Sequence, residues 1–317
     1  INRKIIIITN QSMENYQQDK KTQKLAQLET KLRHVFSFVS KRIEIYIPTA
    51  KDKWRKPNTT ILEKYVLPKK PIKIFYVGDA AGRPNDHADT DRALAYNLYL
   101  LMKFKFPNLP KTLHPKFYTE TEFFIKKTSQ NKSWKCFDPH EFLKNISEKT
   151  FPNISDSLKT SKNKWLVLMV GPPASGKSTI AKQLGFKVIS QDEFNTKKRT
   201  ITAIQKALKN GESVVVDNTN PTVQTRKEIL QIVNNNEYAM YKTAIIHIIN
   251  KEIVSHLNGV RTRRGGKHIP KVAYRVFYKK FEMPKPSETD LLIQTKFKPD
   301  FKSKREMLDF LQRTECS

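Results

Sequence analysis

The stretch GPPASGKST runs Gly171, Pro172, Pro173, Ala174, Ser175, Gly176, Lys177, Ser178, Thr179, and it sets two glycines, a lysine and a hydroxyl at the spacing G-x-x-x-x-G-K-[ST]. The apolar run KWLVLMV precedes it and a helical pattern follows, which is the context this motif requires. Backbone N–H groups of such a loop wrap nucleotide phosphates, and its glycines permit the close approach. Lys177 is expected to reach the β and γ phosphates and Ser178 to ligate Mg²⁺, so ATP and Mg²⁺ are the cofactors the motif implies.

The loop alone does not separate a kinase from an ATPase or a switch. The strand pattern VISQDE brings Asp192 to the carboxyl edge of a sheet, where ligands of open α/β folds bind. There it can orient an incoming hydroxyl for in-line attack. A carboxylate of pKa about 4 is a weak base, which suffices when a loose phosphoryl-transfer transition state depends mainly on positioning and charge. The competing role for Asp192 is a helix N-cap before EFNT. SVVVDNTNP ends another strand with Asp217, the position of a metal-supporting carboxylate, and Asn218, Thr219 and Asn220 also read as turn formers ahead of Pro221. Arg226, on the helix that follows, binds a phosphate bidentately if it faces inward and is ordinary surface charge if it does not. RTRRGGKHIP (261–270) reads as a mobile lid with glycine flexibility and Arg261 as its finger over the γ-phosphate. A solvated basic loop or a DNA-backbone contact is the alternative.

A second group of residues lies near the start of the chain. In KIIIITNQ, four isoleucines make a buried strand that ends in Thr9, Asn10 and Gln11, half of a phosphate site by its chemistry. Lys56 in WRKP and Asp79 in FYVGDA have the charges to complete one. Taken singly, each reads equally well as surface charge or a turn residue.

The elements that must hold these groups alternate strand and helix in two stretches: IIIIT to IKIFYVGDA, and KWLVLMV to TAIIHII. That alternation predicts an α/β protein with two parallel sheets. The intervening residues carry Pro, Asn and Ser punctuation, giving domains at 1–127 and 163–317 with a linker over 128–162. A length of 317 residues suits two cores. Fifty-nine Lys and Arg against 30 Asp and Glu give a net charge of +29, a field that attracts a polyanion, nucleic acid first, although an AT-rich coding sequence also inflates lysine. Cys136 and Cys316 are the only cysteines, so neither a disulfide framework nor a paired-cysteine zinc site is expected. No apolar run approaches the roughly 18 residues of a membrane span, and none suits a secretory leader.

FYVGDAAGRPNDHADTDRALAYNL (75–98), TNQ, WRKP, TETEFF (119–124), FDP (137–139), GPPASGKST, DNTNP (217–221), HIP (268–270) and YKKFEMP (278–284) together resemble the polynucleotide kinase 3′-phosphatase family, in the same order and over essentially the whole chain. The resemblance implies a haloacid-dehalogenase-like phosphatase sheet followed by a P-loop kinase sheet, acting on DNA ends by phosphorylating 5′-hydroxyls and removing 3′-phosphates. It implies Asp192 as the base, Lys177 and Ser178 at ATP and Mg²⁺, Arg226 as a kinase-site arginine and Arg261 in a lid. It further implies Thr9 and Lys56 at the phosphatase phosphate and Asp79 at its Mg²⁺. Asp91 and Arg92 also match a family pair. Gln191 departs from the arginine often found before the base, which puts acceptor-phosphate contacts there in doubt. The family's nucleophilic D-x-D-G-T is absent from this sequence, and the chain begins at Ile1, so it is expected to be a fragment of a longer protein, with a degenerate phosphatase as the alternative; its first sheet is expected to lack a central strand and to be destabilised for that reason. The implied setting is a monomer in the nucleus, with a cytoplasmic or viral location as alternatives, and with repair-scaffold partners docking outside this chain. A kinase of a small hydroxylated metabolite and a nucleotide-gated DNA-end-binding scaffold are the rival functions.

Overall fold

In a computed structural model, residues 4–38, 43–128, 133–134, 137–146, 154–159, 163–194, 196–249 and 251–315 are described; Cys136 and Cys316 lie outside them. The chain packs as two compact units. The first comprises 1–139, 259–268 and 302–316; the second comprises 140–258, 269–301 and Ser317. The boundaries drawn at 127 and 163 follow the linear sequence, whereas this packing returns two later segments to the first unit.

In the first unit, β1 (Ile5–Ile8) pairs in parallel with β2 (Ile43–Tyr46), and β3 (Phe75–Val77) pairs in parallel with β4 (Lys116–Tyr118). Among the described residues these are two separate two-stranded ladders. α1 (Gln18–Phe36) crosses from β1 to β2, as parallel strands require. The expected helix at TTILEKYV is a single π-helical turn over Leu62–Val66. α2 (Thr90–Lys105) buries Leu94, Leu98 and Met102 against Leu62, the spacing of one helical face.

α3 (Pro139–Asn145) and α4 (Ile154–Lys159) fall where only a linker is expected, and Leu158 of α4 is a core residue of the second unit. That unit is one five-stranded parallel sheet, in the order β6-β7-β5-β8-β9. Its strands are β5 (Lys164–Val170), β6 (Lys187–Ile189), β7 (Val214–Val216), β8 (Tyr241–Ile248) and β9 (Leu291–Thr295). The helices are α5 (Lys177–Gln183), α6 (Gln191–Phe194), α7 (Lys197–Lys209), α8 (Val223–Leu230) and α10 (Lys271–Lys280), while α9 (Val254–Arg263) and α11 (Lys304–Leu311) carry residues of the first unit. Side chains of a strand alternate between faces, and both faces of β5 are covered. Leu166, Leu168 and Val170 meet Ile204 and Leu208 of α7 and Ile229 of α8; Trp165, Val167 and Met169 meet Ala181 and Leu184 on the other side. A doubly covered central strand reads as the unbroken apolar run WLVLMV, and it fixes where the next residue, Gly171, begins its loop.

Candidate active sites

The loop after β5 needs its glycines. Gly171, Ala174 and Gly176 have φ of 155°, 55° and 95°, and a Cβ on Gly176 would stand 2.6 Å from the Phe297 ring. Lys177 is buried, with its ammonium folded onto its own loop: Nζ donates to the Gly171 carbonyl at 3.0 Å and to the Pro172 carbonyl at 2.6 Å. Burial drives its pKa from 10.5 down to about 8, against the pull of Asp217 in the other direction. The loop is anchored to the neighbouring strand end, since the Gly171 amide donates to the Thr219 carbonyl at 3.2 Å. Asn220, fully buried with φ 43°, donates from Nδ2 to the Met169 carbonyl at 2.9 Å. The turn-forming and site-building roles weighed for DNTNP thus coexist in one segment.

Asp192 lies exposed on the helical turn that follows β6. Ser190 Oγ accepts from its amide at 3.3 Å, so the serine supplies the cap contact and the Asp192 carboxylate is left unused by the helix. Gln191 Oε1 accepts from Asn218 Nδ2 at 2.9 Å, and the Asp217 amide donates to the Ile189 carbonyl at 2.9 Å. These two bonds tie the carboxyl ends of β6 and β7 together and hold the turns carrying Asp192 and Asp217 side by side. No signal in the sequence marked the Gln191–Asn218 pair, because an amide pair has no characteristic spacing.

Arg226 corrects an expectation. Its side chain is fully buried, with Nε and Nη2 on the Glu288 carboxylate at 2.7 and 3.0 Å and Nη1 on the carbonyls of Asn220, Pro221 and Glu282 at 3.0–3.3 Å. No face of the guanidinium remains for a phosphate, and its work is to clamp the DNTNP turn. The 261–270 segment also departs from a glycine-hinged lid. α9 extends through Arg263, and Gly265, with φ 85°, closes it with a Schellman motif: the Gly266 amide donates to the Arg261 carbonyl and the Gly265 amide to the Thr262 carbonyl. Arg263 is buried, bonded to carbonyls of Asp309, Gln312 and Arg313, and Arg264 meets Asp309. Arg261 is the exposed member of the three without a side-chain partner among the described residues.

The first unit gathers Thr9, Lys56 and Asp91 around the carboxyl ends of its strands. Asn10 and Lys56 exchange side-chain-to-backbone bonds at 3.2 and 3.0 Å, and Gln11 Nε2 donates to Thr9 Oγ1 at 3.0 Å. Lys56 Nζ meets Asp91 Oδ1 at 2.7 Å. The buried Asp91 also accepts from Tyr76 OH at 2.9 Å and from the Ala80 amide at 3.1 Å. Burial pushes the Asp91 pKa up, but Lys56 and these donors outweigh it and hold the carboxyl below its ordinary value. Gly78 has to be glycine, because its Cβ would come within 2.5 Å of the Asp91 Cβ. Asp79 is exposed beside this network, with its carbonyl held by Arg83 Nη2 at 2.9 Å. Sequence reading noted Asp91 without a role; its place as the partner of Lys56 is visible only in three dimensions.

The chemistry of the donors suits Mg²⁺, which takes hard oxygen ligands and leans on substrate phosphates for most of them. Ser178 and Asp217 offer such oxygens in the second unit and Asp79 in the first. Among the described residues no group of three or more His, Cys, Asp and Glu forms a ready-made metal cage.

The profile of the polynucleotide kinase 3 phosphatase family matches residues 2–109, and that of an AAA domain matches residues 166–284. The bifunctional polynucleotide phosphatase/kinase of Schizosaccharomyces pombe is 32% identical over 272 residues, 81% of this chain and 60% of that protein. This chain is similar to the bifunctional polynucleotide phosphatase/kinases over most of its own length. A protein of Acanthamoeba polyphaga mimivirus carrying the same designation is 30% identical over 287 residues, 81% of this chain and 64% of its own length. The chain therefore spans about 60 to 64% of the phosphatase/kinases it matches. A solved structure of Chaetomium thermophilum Kti12 in complex with ADP-AlF3 covers 45% of this chain and 95% of its own at 18% identity, with a TM-score of 0.34. That similarity agrees with two unlike units in one chain, paired parallel strands in the first and a five-stranded sheet with a phosphate loop in the second.

Proposed function

We propose that this chain transfers the γ-phosphoryl of ATP to 5′-hydroxyl ends of DNA, and that the longer protein also removes 3′-phosphates, readying strand breaks for ligation. The observation that carries the kinase reading is the second unit's arrangement: a phosphate loop with its lysine buried in place, bonded to the β7 end, at the same carboxyl edge of the sheet as a carboxylate, Asp192, that the β6 turn does not consume. ATP supplies the phosphoryl group and Mg²⁺ offsets its charge. The loop amides and Lys177 hold the phosphates, with Lys177 exchanging its two carbonyl partners for phosphate oxygens. Asp192 accepts a hydrogen bond from the attacking hydroxyl and fixes its direction. Asp217 and Ser178 present oxygens to the metal, and Arg226 acts at a distance by bracing the turn that carries Asp217. Arg261 remains our candidate for a positive charge brought to the phosphates.

In the first unit Thr9 presents a hydroxyl and Lys56 a cation to a phosphate, with Asp91 holding Lys56 in place. The nucleophile of that reaction is not in this sequence, so 3′-phosphate removal belongs to the longer protein in this proposal. The net charge of +29 supports a polyanionic substrate, and work on chromosomal breaks implies the nucleus. No helix among the described residues is long and apolar enough to cross a membrane.

The test is transfer of label from γ-labelled ATP to a 5′-hydroxyl oligonucleotide, run beside nucleosides and sugars. Label is expected on the oligonucleotide and lost on adding EDTA. Asp192→Asn is expected to bind nucleotide normally while turnover falls at least about 100-fold, the usual scale for losing a positioned acid–base group. Label on sugars in preference to DNA would overturn the reading.

A further inference from the structure

The first unit exposes a run of aromatic rings that neither proposed site uses. Phe75 and Tyr118 share one face of the β3–β4 pair, their rings 6.2 Å apart. Tyr118 meets Phe123 edge-on at 5.8 Å, and Phe123 meets Phe124 at 5.1 Å, so four rings form a continuous ladder. Phe75 is 49% exposed and Phe124 73%. Apolar surface of this kind costs solubility unless it has an occupant. The Lys73 ammonium sits 5.1 Å from the centroid of the Phe75 ring and that of Lys126 sits 5.5 Å from that of Phe123. The acids of the same segment are turned away from the rings' use: Glu120 is paired with Arg83, and Glu122 caps the Thr119 amide at 2.8 Å. The face therefore presents rings and cations together.

We propose that this ladder is a stacking platform for single-stranded nucleic acid. Bases stack on exposed aromatics whatever their sequence, and flanking lysines follow the backbone. A protein partner would be served by the rings but not by lysines whose neighbouring acids are already engaged, and the charge of +29 favours the polyanion. The inference deepens the DNA-end reading and rests on it for the identity of the strand, a single-stranded tail adjoining a break.

The measurement is equilibrium binding of a fluorescent oligothymidylate to the whole chain across a salt series. Phe75→Ala combined with Phe124→Ala is expected to weaken binding about thirtyfold or more at every salt concentration, each lost stack accounting for a factor of about five or more. Phe124→Trp is expected to keep full affinity. Lys73→Ala with Lys126→Ala is expected to lower the slope of log affinity against log salt by about 1.4, at about 0.7 per phosphate contact on a single strand. All four positions are exposed, and a thermal melt confirms that each variant is folded. Affinity within about twofold of the parent in the double phenylalanine variant would overturn the platform. Labelling of 5′ ends in parallel separates the two proposals. Phe124-dependent binding without any labelling would sink the kinase and leave the platform, and normal labelling with Phe124-independent binding would do the reverse.

Discussion

Lys177 stands in a charge balance that binding of a nucleotide would change. Its ammonium is buried among two carbonyls, and burial lowers its pKa from 10.5 to about 8. The unfolded chain therefore binds more protons than the folded one between those values, and stability rises with pH across that window. Below pH 8 the cost is on the order of 3 kcal/mol. Lys177→Met is expected to stabilise the nucleotide-free protein at pH 7 and to flatten the rise toward pH 10, as measured by urea unfolding of both proteins at a series of pH values. The same variant is expected to abolish nucleotide-dependent stabilisation. His247, on β8 next to the start of the loop, behaves in the same sense in a more acid window. Burial first, and Arg226 second, depress its pKa from 6.5 to about 4, and its Nδ1 has no partner among the described residues. Its neutral form is the folded form, so stability is full above pH 6.5 and falls as the pH drops toward 4. His247→Phe is expected to lose that part of the acid sensitivity, with no difference from the parent in unfolding midpoints between pH 6.5 and 4 counting against it.

At the scale of elements, the DNTNP turn shows how a site can be built by a residue that never touches substrate. Arg226 satisfies five acceptor positions at once, on Glu288 and three carbonyls, and so fixes the chain between β7 and α8 to the segment before β9. Removing one partner strands the other in a buried place, which costs about 3–5 kcal/mol. Arg226→Ala is thus expected to lower the denaturant midpoint strongly, and Glu288→Gln to do so less; a midpoint unchanged in Arg226→Ala would show that the clamp is idle. The sequence made the phosphate loop legible because backbone requirements, two glycines and a lysine, are local and fixed in spacing. The inward face of Arg226 is legible but its partners are not: facing inward does not mean facing a phosphate, and acceptors that claim it come from residues 282 and 288, far along the chain. The 261–270 segment holds a related ambiguity. Paired glycines after a basic helix suit a hinge and a Schellman closure equally, and only the amide bonds of Gly265 and Gly266 decide between them. Ser190 displaced Asp192 from the cap for want of nothing but one hydroxyl two residues earlier.

For the whole molecule, the element least legible in the sequence is the return of the last segment to the first unit. α11 reads as an ordinary amphipathic helix, but its anchors are polar and scattered. Asn97 of α2, fully buried, donates from Nδ2 to the carbonyls of Pro57 and Arg313 at 2.9 and 2.8 Å and accepts from the Arg313 amide at 2.7 Å. Gln312 Nε2 donates to Thr59 Oγ1 at 3.2 Å, and Arg305 pairs with Glu63 at 2.5 and 2.9 Å. The exposed Arg305–Glu63 pair adds little, whereas the buried amide of Asn97 holds three backbone groups that water cannot reach. Asn97→Leu leaves those three groups without partners, at about 1–3 kcal/mol each. The first unit is therefore expected to loosen while the second keeps its own sheet. Hydrogen exchange resolved by peptide gives the answer: in Asn97→Leu and in a chain ending at residue 301, protection should fall across α2, and across β5 it should hold. Equal loss in both would mean that the C-terminal segment stabilises the chain as one cooperative body, and unchanged protection in α2 would mean that Asn97 is not the anchor its three bonds make it.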